Sequence, residues 1–122
     1  MNQNIPSNIS PKELNKILED DSSDKPFIVD VREDNEIAIA SFPFSVLHLP
    51  LSKAENWSAK IDELLPKDKP VVVVCHAGVR SLNFGIWLLE QEIIKNEITP
   101  ILFFNIRNIN FINFDRYIYL TQ

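Results

Sequence analysis

Glycine is nearly absent from this chain. Its 122 residues include two, Gly78 and Gly85, where average usage near 7% would supply about eight or nine. A GxGxxG dinucleotide loop needs three glycines and is excluded. A P-loop needs two glycines five apart, and a GxSxG nucleophile elbow needs them four apart. These two stand seven apart. Nucleotide-dependent enzymes and α/β-hydrolases of the usual kind are therefore out.

Cysteine is scarcer still. Cys75 stands alone, so there is no intrachain disulfide and no CxxC pair. Only His48 and His76 could join it, which leaves little material for a zinc site or any other metal. Positive charge is also short. Twelve Lys and Arg against 17 Asp and Glu give a net charge of −5. No basic cluster exceeds two neighbours, so nothing is available to neutralise a phosphate backbone, and no nucleic-acid partner is expected. No apolar run approaches the roughly 18 residues a membrane span needs. The start, MNQNIPSNIS, has no basic n-region and no apolar h-region. The expectation is a cytoplasmic protein with a reduced thiol and no membrane partner.

What remains is ordinary: 45% hydrophobic and 24% charged residues, enough for one domain with its own core. Ser10-Pro11-Lys12-Glu13 is a capping box with proline at the first helical position. Leu14, Ile17 and Leu18 then share one face, which predicts a helix over 11–19. Residues 20–26 form a polar loop. Strands are predicted over 27–31 and 46–49, with a short helix over 32–40 between them. Residues 53–65 predict a helix with Trp57, Ile61, Leu64 and Leu65 on one side. Val71-Val72-Val73-Val74, set off by Pro70, reads as a central parallel strand. A loop from Cys75 to Arg80 follows, then a largely buried helix from Ser81 to about Gln91. In it, Gly85 lets the helix approach the sheet closely. Strands alternating with helices give an α/β domain with a mostly parallel sheet.

The chemistry concentrates after the valine strand. Cys75 lies at the carboxyl end of a central strand, where open parallel sheets bind ligands. The turn runs into a helix N-terminus, whose free N–H groups and positive dipole end favour a thiolate. Gly78 permits a left-handed bend that lets successive N–H groups converge on the sulfur. Arg80 supplies a fixed charge with two donors for an oxyanion. His76 reads as an exposed loop residue and His48 as a strand or surface residue.

Cys75-x-x-Gly78-x-Arg80, after a valine-rich strand and before Ser81, resembles the active-site loop of single-domain rhodaneses. Phe27-Ile28-Val29-Asp30-Val31-Arg32-Glu33, followed by Glu36, is similar to that family's Asp-Val-Arg segment. The likeness spans about residues 8–91. It implies a rhodanese-like fold, α/β, with a mostly parallel central sheet flanked by helices on both faces. It also implies sulfur transfer: Cys75 takes a sulfane sulfur from a donor such as thiosulfate and passes it on from a persulfide. His76, Ala77, Gly78, Val79, Arg80 and Ser81 would form the substrate-binding loop, with Ser81 capping the helix. Asp30 and Arg32 would support it. No cofactor is called for. The partners implied are a small sulfur donor and a thiophilic acceptor, a protein acceptor included.

Two departures from the family pattern stand out. The stretch Ala40–Val46 lacks the glycines usual after the Asp-Val-Arg strand, which bears on substrate preference. Beyond Glu92 there is no Gly, Ala or Val at all. Ile101–Phe104 can be the last strand, ending a rhodanese-like domain over 1–104. Residues 105–122 open with a stretch, 105–113, that alternates Asn or Arg with Ile and Phe, which suits a β-segment or an AT-rich gene read out of frame. They are expected to form a poorly ordered, association-prone tail. Competing readings are a cysteine phosphatase or arsenate reductase, and a non-catalytic oxyanion-sensing or docking module. The phosphatases need Cys-x5-Arg, and this loop is one residue shorter.

Overall fold

A computed structural model of the chain describes residues 5–19, 25–42, 44–92 and 101–105. Five parallel strands form one sheet: β1 (Ser7–Asn8), β2 (Phe27–Asp30), β3 (Leu47–His48), β4 (Val71–Cys75) and β5 (Ile101–Asn105). Their order across the sheet is β1-β5-β4-β2-β3. The helices are α1 (Pro11–Glu19), α2 (Asp34–Ile39), α3 (Ala54–Trp57), α4 (Ile61–Leu64) and α5 (Val79–Glu90).

The four valines of β4 each have 0% exposure, and the side-chain period of two divides them between two cores. Val71, Val73 and Cys75 join Trp57, Ile61, Phe84, Leu88 and Leu89 on the face covered by α3, α4 and α5. Val72 and Val74 join Leu14 and Leu18 of α1, with Phe42, on the other. Burial on both faces is why β4 is a continuous apolar run. The capping box of α1 forms as expected. Glu13 N donates to Ser10 Oγ and Ser10 N to Glu13 Oε1, both at 3.1 Å.

The connection after β2 leads to β3 at one edge, and the connection after β4 leads to β5 on the opposite side. The carboxyl ends of β2 and β4 therefore flank a topological switch point, the crevice where such sheets place their ligands.

One predicted helix is not continuous. Residues 51–64 fold as a 3-10 turn (Leu51–Lys53), α3, a second 3-10 turn (Ser58–Lys60) and α4. The inward residues explain the break. Leu51, Ala54 and Trp57 recur every three residues, the 3-10 period, while Trp57, Ile61 and Leu65 recur every four. The inward spacing thus changes at Trp57, where α3 ends. Trp57 is also anchored, its Nε1 donating to Pro50 O at 3.0 Å.

Gly85 does allow a close approach. A Cβ built there would lie 2.6 Å from Pro6 Cγ and 3.1 Å from Ile101 Cγ2 of β5. A proline ring cannot swing aside, so the helix or the strand must shift. Gly85→Ala is expected to destabilise the domain by about 1–3 kcal/mol, the usual cost of overpacking. Urea unfolding checks it, and an unchanged midpoint would show that this contact yields freely.

The last strand pairs along its length with β4, from Val71 with Ile101 to Cys75 with Asn105. The polar loop over 20–24 and the tail beyond Asn105 lie outside the described residues.

Candidate active site

The valine strand ends at Cys75, and the chain reverses through His76, Ala77 and Gly78 into α5. Gly78 adopts φ 93° and ψ −16°, the left-handed region that a residue with a Cβ resists. This bend aims two amides at the sulfur. Gly78 N donates to Cys75 Sγ at 3.0 Å and Ser81 N at 3.3 Å. The thiol donates in turn to Ser81 Oγ at 3.2 Å. Cys75 is 1% exposed, so these contacts are its immediate surroundings.

Two sequence expectations change here. The helix starts at Val79, not Ser81. Gly78 is its N-cap, because the left-handed bend already turns the next peptide into the helical register. Ser81 is thus the third helical residue and cannot be the cap. Its hydroxyl, also 3.2 Å from Gly78 O, stands between that carbonyl and the sulfur. A hydroxyl can rotate, so Ser81 accepts from a thiol and can donate to a thiolate.

Arg80 occupies the first turn of α5 but does not sit unpaired over the loop. Its two terminal nitrogens donate to Glu36 Oε1 and Oε2, each at 2.7 Å. Glu36 belongs to α2, where its Oε1 also accepts the Glu33 N–H at 2.9 Å, the return half of a capping box. Hydrogen bonding from Arg80, partly opposed by burial, lowers the Glu36 carboxyl to about 2. The same hydrogen bonds raise Arg80 above its ordinary value, and the Cys75 charge adds to the effect. A lowered carboxyl stabilises the fold above its ordinary range and loses that contribution as pH falls. Glu36 therefore stays charged through neutral and mildly acidic solution and is neutralised only as pH drops toward 2.

Asp30 and Arg32 form a buried pair at the carboxyl end of β2, at 1% and 3% exposure. Arg32 Nη2 lies 2.9 Å from Asp30 Oδ2, and its Nε lies 3.1 Å from Oδ1. Arg32 Nη1 donates to Ala40 O at 2.8 Å, pinning the end of α2. Asp30 is the register partner of Val74, one residue before Cys75. His48 Nε2 is 2.7 Å from Arg32 O. A carbonyl only accepts, so Nε2 carries the proton. Glu33 accepts from Ser52 N at 3.1 Å and from Ser52 Oγ, which ties α2 to the segment after β3.

Of the predicted site residues, Cys75, Gly78 and Ser81 come together. Arg80 is held at their edge by Glu36. His76 and Ala77 are exposed, as is Val79 at 65%. Asp30 and Arg32 brace β2 and α2. Glu36, named in the sequence only as part of the Asp-Val-Arg resemblance, is the residue whose place at the site sequence reasoning missed. Its spacing from Glu33 signals a helix start, but nothing local signals Arg80. Among the described residues, no group of three or more His, Cys, Asp or Glu could hold a metal ion, and no helix is long and apolar enough to cross a membrane.

The chain is similar to known proteins. The model of the rhodanese-like domain matches residues 10–110. A rhodanese-like/PpiC domain-containing protein 12, chloroplastic, of Arabidopsis thaliana is 38% identical over 85 residues, which cover 68% of this chain and 28% of that protein. A putative sulfurtransferase of Bacillus subtilis, YtwF, is 35% identical over 83 residues, covering 68% of this chain and 74% of that one. Among solved structures, a single-domain sulfurtransferase of Saccharomyces cerevisiae superposes with a TM-score of 0.58 at 19% identity, over 90% of this chain and 93% of the yeast one. A protein of Staphylococcus saprophyticus does so with a TM-score of 0.59 at 22% identity, over 81% and 86%. These two establish the fold. A cysteine on an amide-lined turn at the switch point of a parallel sheet, with a family match over most of its length, makes this chain a member of the rhodanese-like family.

Proposed function

We propose that the chain is a sulfurtransferase that carries a sulfane sulfur on Cys75. The observation that carries this reading is the convergence of the Gly78 and Ser81 amides on the chain's sole thiol. Two fixed donors can stabilise charge that develops on the sulfur, and a thiolate is the nucleophile that sulfur exchange requires.

With thiosulfate as donor, the Cys75 thiolate attacks the outer sulfur. A bond forms between the two sulfurs, the thiosulfate S–S bond breaks, and sulfite leaves with the electron pair. Cys75 is then a persulfide whose terminal sulfur is anionic. A nucleophilic acceptor attacks that terminal sulfur. Cyanide would leave as thiocyanate, a thiol as a new persulfide, and the Cys75 thiolate returns. The amides already point at the sulfur before either step, so their stabilisation of sulfur charge is preorganised. Ser81 adds a hydroxyl that can turn its proton toward the charge.

Intact mass after thiosulfate treatment tests the reading directly. An increase of about 32 Da, one sulfur as in persulfidation, that cyanide then removes is expected. An unchanged mass at saturating donor would reject Cys75 as the carrier.

Arg80 provides a second test. Arg80→Ala removes the cation and leaves Glu36 uncompensated beside the loop. Loss of one charge-assisted contact of roughly 1.5–3 kcal/mol corresponds to a ten- to hundredfold fall in efficiency toward thiosulfate. Arg80→Lys should restore part of it. Unaltered donor affinity and turnover in Arg80→Ala would remove Arg80 from the site.

A further inference from the structure

We propose that Glu36 is a specificity-determining residue of this site: it competes with anionic sulfur donors for Arg80 and so biases the loop toward donors without charge. This rests on the sulfur-carrier reading of Cys75 for its meaning, but its geometry stands apart. The guanidinium edge that would grip an oxyanion with two donors is the edge that Glu36 occupies, through two contacts of 2.7 Å. The pair is about one-third exposed, with side chains at 34% and 28%, so it can open without unfolding. Glu36 is not free to wander, because the Glu33 N–H fixes the same carboxylate at 2.9 Å. Arg80 also feels the charges of Cys75 and Glu33. An arriving anion thus meets a cation already neutralised and must displace a positioned carboxylate. A neutral donor meets no such competitor.

Glu36→Gln isolates the effect. Glutamine offers an amide oxygen that can still accept the Glu33 N–H, as the capping box allows, so α2 keeps its start, while the charge on Arg80 is unmasked. Because the chain has one cysteine, alkylation of Cys75 reads the electrostatics without any sulfur transfer. Iodoacetate carries a carboxylate, and iodoacetamide of similar size does not. In Glu36→Gln, the ratio of iodoacetate to iodoacetamide rates is expected to rise about fivefold, the upper range for a partly exposed ion pair. The iodoacetamide rate itself should stay within about twofold. In parallel, the KM for thiosulfate should fall by a similar factor with kcat unchanged.

A second pair separates competition from simple repulsion. In an Arg80→Ala background, adding Glu36→Gln should raise the ratio less than half as much. Equal gains in both backgrounds, or an unmoved ratio in Glu36→Gln, would overturn the proposal. A ratio that rises in a protein whose mass thiosulfate leaves unchanged would uphold the competition and reject sulfur transfer. A persulfide that forms while the ratio stays flat would do the reverse.

Discussion

Cys75→Ser is expected to reduce thiosulfate-dependent sulfur transfer by at least about three orders of magnitude, the scale of losing a covalent nucleophile. No other side chain can substitute, because the chain has no second thiol. The serine hydroxyl is nearly the same size as the thiol and can still accept from the Gly78 and Ser81 amides. Those amides stay satisfied, so unfolding free energy should change by no more than about 1 kcal/mol. Thiocyanate formation and a urea melt on the same preparation check both halves. Retention of full activity would refute the sulfur-carrier reading, and loss of fold would show that the sulfur itself holds the turn.

The largest effect on stability is expected at the carboxyl end of β2. Asp30 and Arg32 satisfy one another at 1% and 3% exposure, through contacts of 2.9–3.2 Å. Removing one partner strands a buried charge, which typically costs about 3–5 kcal/mol. That is a large share of the roughly 5–15 kcal/mol that holds a domain together. Arg32→Ala also frees the Ala40 carbonyl and loosens α2, which carries Glu36. Asp30→Ala and Arg32→Ala should each lower the urea midpoint steeply. The double variant Asp30→Leu with Arg32→Met should lose less than either, since no charge is then left buried. A cost below about 1 kcal/mol for either single change would show that water reaches the stranded group. A double change that costs the sum of the two would show that the pair does not act as a unit.

Features with local causes were legible in the sequence. The α1 helix could be placed because Ser10 and Glu13 cap it and Leu14 and Leu18 repeat at helical spacing. The central strand was legible because only a strand buried on both faces needs four valines in succession. The turn around Cys75 followed from a cysteine at a strand end with glycine three residues on. Gly85 was legible as a point of close approach, although the proline ring that meets it was not. The pattern in 53–65 predicts a helix but not the breaks found there, because a uniform helix would carry the same inward residues and only the shape of the core selects the broken path.

The sequence by itself determined the fold family, the sole thiol and the turn that surrounds it. Each rests on neighbouring residues, and propensity, caps and periodicity act over a few positions. Tertiary structure alone decided which charges meet. Glu36 and Arg80 are separated by 44 positions, and they pair because β2 and β4 lie side by side and send α2 and α5 to adjoining ground. His48 finds the Arg32 carbonyl, and Ser52 finds Glu33, by the same crossing of strands. Ser81 turned from a cap into a sulfur partner because the bend at Gly78 advanced the helix by two residues. Ion pairs have no local signature, since any carboxylate suits any guanidinium. The sheet order chooses the partner, and with it the charge that a substrate meets.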